Sequence, residues 1–251
     1  MVTPLSLPVS DVMGVKVAVV SVSEFMSWLV GQVHAENPAP SFITYLNAAC
    51  SNIAADDAGY HDILNQAECV YADGQAIVWA SRVLGNPLPE RVNAGDFIVD
   101  LCRQLADAEI TIGLIGGRET VAAQAASSWA AEASGLKVAG AWSGFQLDST
   151  QVSQIASVAP DILLVGMGVP LQEHWAWTHK GLLGAKVIWC VGALFEYYGE
   201  GRPRAPVWVR RFGLEWLFRL ALEPRRLWRR YLLGNARFIW RLARQRLFRQ
   251  T

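Results

Sequence analysis

Lysine is absent from the last fifty residues of this 251-residue chain, and carboxylates nearly so. Residues 202–251 hold fourteen Arg and only two acids, Glu215 and Glu223, for a local charge of +12. The whole chain has 22 basic and 22 acidic residues, so residues 1–201 keep eight bases against twenty acids, or −12. A neutral total therefore conceals two oppositely charged parts. Such an asymmetry calls for an anionic partner of the basic segment, either nucleic acid or a lipid surface.

Other scarcities exclude whole classes. No apolar run reaches the roughly 18 residues of a membrane span, since even the run in DILLVGMGVPLQE is closed by acids after eleven. The N-terminal MVTPLSLPVSDVMGVKV has no basic n-region and carries Asp11 where a signal peptide is apolar, so none is expected. Cys50, Cys69, Cys102 and Cys190 show neither CxxC spacing nor pairing with His. That pattern predicts reduced thiols, without a zinc site or a disulfide framework. Of the four His, only His174 falls in a motif block, and ordinary surface or core roles are expected for all four.

A 52% hydrophobic composition supplies a core for one α/β domain with an appendage. Short apolar, β-branched runs predict strands at Val15–Ser21, Phe42–Asn47, Cys69–Ala72, Thr111–Ile115, Lys137–Ala141, Ile162–Gly166 and Lys186–Val191. Ala-rich helical stretches separate several of them, as in RETVAAQAASSWAAEASG. The alternation predicts a Rossmann-like, mostly parallel sheet with flanking helices. Four runs lead into glycine, and ligands in open α/β sheets sit beyond the carboxyl ends of the strands.

Polar residues at those ends carry the chemistry, each with a plainer alternative. Gly116 and Gly117, before a helix expected near Glu119, would offer amides to a diphosphate or simply make a turn. Asp73, before Gly74, is placed to act as a general base if burial raises its pKa, or is an ordinary Asp-Gly turn. Thr44 and Asn47 would bond a ligand or cap a helix. Gln172 and Glu173, after the Gly166/Gly168 turn, would do the same or open a helix.

In the tail, Ile239, Leu242, Ala243 and Leu247 recur at helical spacing, and Arg237, Arg241 and Arg244 form a separate stripe. Phe238, Trp240 and Phe248 suit a headgroup boundary. A solvated helix does not account for Trp208, Trp216, Trp228 and Trp240. Nucleic-acid binding would also use Arg and aromatics, but the acidic body argues against a broad nucleic-acid surface.

Five blocks then fall into a known order: YADGQAIVWASRVLGNPLPERVNAGD, GLIGGRETVAAQAA, PDILLVGMGVPLQEHW, CVGALFEYYGEGRPRAP and GLEWLFRLALEPRRLWRRYLLGNARF. From about Val15 to Phe238 the chain resembles the WecG/TagA/CpsF family of bacterial glycosyltransferases. The resemblance implies an inverting, metal-independent transfer of a hexose-type sugar from a UDP-sugar to a polyprenyl-diphosphate-linked saccharide in surface or extracellular polysaccharide synthesis. It implies Asp73 as the base. Thr44, Asn47, Arg91, Asp96, Gly116, Gly117, Gly168, Gln172, Glu173 and Glu196 would form the donor site, with Glu196 standing where the family pattern has Asp. The TYLN and RVNAGD segments are each one residue longer than the common forms. No DxD motif is present, and neither a metal nor an organic cofactor is expected.

Residues 1–195 are expected to form the transferase domain and 196–251 a helical membrane- and acceptor-binding appendage. Arg202, Arg204 and Arg211 would meet the acceptor diphosphate, and Arg237, Arg241 and Arg244 an anionic membrane at its inner, cytoplasmic face. Two rivals are a non-catalytic nucleotide-binding membrane adaptor and a nucleic-acid-binding protein. Homo-oligomer formation stays open.

Overall fold

The computed structural model describes residues 6–248. Strands β1 (Val9–Val12) and β2 (Val15–Ala18) form an antiparallel hairpin, turned by Met13 and Gly14 at φ of 61° and 85°. Next come α1 (Val22–His34), β3 (Ser41–Leu46), α2 (Ala48–Ala54), α3 (Ala58–Gln66), β4 (Cys69–Ala72), α4 (Gln75–Val83) and α5 (Ala94–Asp107). The second half runs β5 (Thr111–Gly116), α6 (Val121–Glu132), β6 (Lys137–Trp142), α7 (Ser149–Val158), β7 (Ile162–Gly166), α8 (Leu171–His179) and β8 (Val187–Cys190). The C-terminal part is helical: α9 (Leu194–Gly199), α10 (Val207–Arg211), α11 (Glu215–Leu222), α12 (Pro224–Trp228), a π-helical turn at Arg229–Leu233, and α13 (Gly234–Phe248).

Six strands make one parallel sheet in the order β4-β3-β8-β7-β5-β6. The expected parallel α/β architecture is thus present. The run expected as a strand at Val15–Ser21 ends at Ala18 and pairs with β1, outside that sheet. Ser21 instead caps α1 in a reciprocal arrangement with Glu24, which is why the extended run stops early.

Strands β3, β7 and β8 are buried along their whole length: β7 and β8 are apolar throughout, as a place between two helical layers requires, and the polar Ser41 and Thr44 of β3 are each satisfied by a hydrogen bond. Edge strand β6, KVAGAW, is exposed or half-exposed throughout. On one face Phe25 of α1 packs 5.5 Å from Trp189 of β8 and 5.8 Å from Phe97 of α5, ring centre to ring centre. On the other, Phe42 of β3 meets Trp177 of α8 edge-on at 5.1 Å.

Connections leave neighbouring strands in opposite directions at the centre of the sheet. From β3 the chain passes outward to β4, whereas from β8 it passes to α9, which packs on α6 near the far half. That divergence opens a crevice at the carboxyl ends of β3 and β8. Helix α13 then folds back onto α2, with Phe238 only 3% exposed and Leu242 packed against the core.

Candidate active site

The crevice is a cavity of about 430 Å³. Its floor comes from strand ends: Tyr45 near the end of β3 and Asn47 just after it, Asp73 after β4, Gly168 after β7, and Gly192 after β8. Gly168 has φ of 84° and open space where a Cβ would stand, so glycine serves backbone conformation there. At Gly192 space decides as well, because a Cβ would lie 2.3 Å from the Tyr45 hydroxyl oxygen.

Asp73 is held by what surrounds it. Its amide donates to the Leu46 carbonyl at 2.9 Å, fixing the strand end, and Gly74 with φ of 142° turns the chain into α4. Asn93 donates its Nδ2 to Asp73 Oδ1 at 2.5 Å. Burial raises the Asp73 pKa and the nearby Glu215 carboxylate adds to it, while Arg91, the Asn93 hydrogen bond and Arg219 act in the other direction. The balance is a half-buried carboxylate with more affinity for a proton than a solvated one, as a general base near neutral pH requires.

Beneath the cavity lies a second carboxylate. Thr44 Oγ1 donates to Glu173 Oε1 at 2.9 Å, and Gln172 Nε2 donates to the same oxygen at 2.7 Å. Gln172 Oε1 in turn accepts from the Gly192 amide at 2.9 Å. All three side chains are fully buried, and Glu173 Oε2 has no hydrogen-bond partner. Burial pushes the Glu173 carboxyl up to about 7 against the pull of its two donors. Thr44, Gln172 and Glu173 therefore tie β3, α8 and the β8 turn together below the cavity floor.

One rim is an ion-pair cluster. Arg91 bonds Asp96 and Glu215, the latter at 3.1 Å. Arg204 donates to Asn93 Oδ1 at 2.8 Å, to Asp96 Oδ1 at 2.7 Å and to the Gly95 carbonyl, and Arg210 also reaches Asp96. Arg204 and Arg210 come from the segment between α9 and α11, so the basic end of the chain is fastened to the site by the acid Asp96.

A model of the glycosyl transferase WecG/TagA/CpsF family matches residues 10–251. The chain belongs to this family. Among its relatives is the N-acetylglucosaminyldiphosphoundecaprenol N-acetyl-beta-D-mannosaminyltransferase of Bacillus subtilis (strain 168), 31% identical over 191 residues, 76% of this chain and 74% of the relative. A protein of the same name from Staphylococcus aureus (strain MRSA252) is 30% identical over 205 residues, 81% of this chain and 80% of the relative.

The WecG/TagA/CpsF blocks meet in space, but with divided roles. Asn47, Asp73 and Gly168 line the cavity, whereas Thr44, Gln172 and Glu173 are buried behind its wall. Arg91 and Asp96 face each other at the rim. Gly116 and Gly117 lie away from that lining, at the end of β5. A Cβ at Gly116 would stand 2.2 Å from the Gly166 carbonyl oxygen, and the Gly117 amide donates to that oxygen at 3.2 Å. Backbone packing accounts for that glycine pair, and α6 begins at Val121, two residues beyond the expected start.

Glu196 pairs with Arg202 at 2.6 Å, and Arg202 also meets Glu200 at 2.9 Å. Arg237 grips Asp56 through both terminal nitrogens at 2.6 Å, and Arg241 donates to the Ser51 carbonyl at 2.7 Å. Arg244 lies over the Trp240 and Phe248 rings. The Arg211 side chain lies outside the described residues.

Sequence reasoning missed Asn93, Arg219 and Arg230. Asn93 sits inside the RVNAGD block, and its residue type, two positions after Arg91 and three before Asp96, is the available signal. Arg219 and Arg230 line the cavity from α11 and the π-helical turn, but nothing in the Arg-rich run marks them out from their neighbours.

Proposed function

We propose that the chain moves a hexose-type sugar from a UDP-sugar to a saccharide carried on a polyprenyl diphosphate, in synthesis of a bacterial surface or extracellular polysaccharide. The relatives' names make N-acetylglucosamine on undecaprenyl diphosphate the first acceptor to test, and N-acetylmannosamine the first sugar. The observation that carries the reading is the position of Asp73: a carboxylate with a raised pKa, held by Asn93, facing a cavity at the sheet's switch point.

In the proposed reaction Asp73 takes the proton from the acceptor hydroxyl as its oxygen attacks the anomeric carbon. The bond from that carbon to the UDP oxygen breaks, UDP leaves with the electron pair, and the anomeric centre inverts. Amides at the strand ends and the Arg side chains of the rim stabilise the departing diphosphate. The sequence has no DxD motif, and we assign the charge stabilisation to these groups without a divalent metal.

Residues 1–195 would hold the donor and 196–251 would seat the protein on the inner face of the cytoplasmic membrane. No described helix is long and apolar enough to cross a membrane. Support for peripheral seating comes from Trp208, Phe212, Leu233, Trp240 and Phe248, each at least 59% exposed, beside a surplus of Arg. Each basic residue close to an anionic leaflet adds about 1 kcal/mol.

The test is to incubate the protein with a panel of UDP-sugars and short-chain polyprenyl-diphosphate saccharides, in detergent and without metal, and to weigh the lipid products. A mass gain of one sugar is the expected result. Nucleotide binding with no product from any pair would favour the adaptor.

A further inference from the structure

Glu173 is the only fully buried carboxylate of the described residues, and the proposed transfer gives it no part. Burying a carboxyl costs free energy even where donors meet it. Its bonds point to what it does. Both donors, Thr44 Oγ1 at 2.9 Å and Gln172 Nε2 at 2.7 Å, converge on Oε1, which therefore acts as an acceptor.

Gln172 has a donor end and an acceptor end, and each faces a different element. With Nε2 taken by Glu173, Oε1 is turned toward the end of β8 and accepts from the Gly192 amide at 2.9 Å. The reversed amide would set Nε2 against the Gly192 N–H, donor against donor, and Oε1 against the Glu173 oxygen. Glu173 thus selects one of two orientations, and the Gly192 peptide is held by that choice. The turn that Gly192 opens is a working surface. Val191, Gly192, Ala193 and Leu194 form one wall of the strand-end cavity, and Tyr197 extends it under the guanidinium groups of Arg204 and Arg219. Thr44, Gln172 and Glu173 stay outside the cavity lining, so whatever they do for a ligand passes through that wall.

We propose that Glu173 is a positioning residue: by fixing which end of the Gln172 amide meets Gly192, it sets the β8–α9 wall of the cavity for the nucleotide of the sugar donor. The proposal rests on the transferase reading for what the wall binds, but the relay itself is read at Gly192 without any ligand.

The test uses Glu173→Gln, Glu173→Met and Gln172→Met in the full-length chain. Glu173→Met, of similar size but without an acceptor, should weaken UDP binding and raise the donor KM about tenfold while kcat moves less than about threefold. Glu173→Gln keeps an acceptor oxygen for Gln172 and should lose no more than about threefold in UDP affinity. Hydrogen exchange at the Gly192 amide of the unliganded protein should speed about tenfold in both Met variants and much less in Glu173→Gln. Because Glu173 acts through Gln172, the double Met variant should bind UDP no more weakly than Gln172→Met alone.

A natively folded Glu173→Met with unmoved UDP affinity or unmoved Gly192 exchange overturns the proposal, as does a Glu173→Gln no better than Glu173→Met. Should Glu173→Met fail to fold, Gln172→Met decides: unchanged Gly192 exchange or UDP affinity in it overturns the relay, and loss of both supports it. Turnover separates the two readings. If sugar transfer proceeds while UDP affinity and Gly192 exchange ignore Glu173, the relay falls and the transferase stands. If no acceptor is glycosylated yet both readouts follow the expected order, the relay stands and the transferase falls.

Discussion

The acidic body and the basic C-terminal part spend their hydrophobic residues in opposite ways. In the body, Trp129, Trp189, Phe25 and Phe42 are buried, and so are strands β3, β7 and β8 along their whole length. In the C-terminal part, Leu227 and Phe238 are buried, while Trp208, Phe212, Leu232, Leu233, Ile239, Trp240 and Phe248 stay exposed. Charge follows the same division, but the two halves of the asymmetry meet. Arg202, Arg204, Arg210 and Arg237 pair with Glu196, Asp96 and Asp56 of the body or its border, and Arg241 bonds the backbone of α2. Arg225, Arg229, Arg230, Arg244 and Arg246 have no carboxylate of the described residues in ion-pair range. One set of arginines docks the tail. The other is the set we propose for an anionic partner.

Substitutions that probe this contrast should lose effect from the interior outward. Glu173→Gln removes a buried carboxyl raised from an ordinary 4.5 to about 7. Because the raised value favours the protonated folded state, its stabilising contribution is full below pH 4.5 and is lost as pH rises through about 7. Melting curves should show wild type losing roughly 3 kcal/mol relative to the variant between pH 4 and 8. At the junction, Arg204→Ala deletes bonds to Asn93, Asp96 and Gly95. It should cost about 2–3 kcal/mol, a fall of roughly 5–10 °C in Tm, and raise the acceptor KM.

Asn93→Ala should lower kcat about tenfold or more by freeing Asp73 to rotate. It should also move the acid limb of the pH profile upward, because the lost hydrogen bond is one of the influences that hold the Asp73 pKa down. Parallel loss of kcat with an unmoved acid limb would instead mean general damage. Arg237→Ala, at an exposed pair with Asp56, should change Tm least, and added salt should erase even that.

Legibility in the sequence followed burial. ILLVG and VIWC read as strands because parallel strands between two helical layers must be apolar throughout. VSDV did not, since β1 alternates exposed and buried residues over only four positions. The partnership of Asp73 with Asn93 spans 20 residues, and that of Arg237 with Asp56 spans 181. Periodicity predicts that a helix has a face; which surface that face will find is a tertiary fact. Thr44, Gln172 and Glu173 stand out in the sequence as polar groups near strand ends, but that they bond one another below the floor depends on the β3–β8 adjacency, which the chain order does not disclose.

The most direct test of the account compares wild type with Asp73→Asn on the same lipid-linked acceptor in anionic vesicles, with the product weighed and UDP affinity measured alongside. Wild type should add one sugar, and the variant should bind UDP normally while its kcat falls by about 10²–10⁴. Near-normal transfer by the variant would contradict the role of Asp73, and with it the assignment of this cavity as the place where the sugar moves.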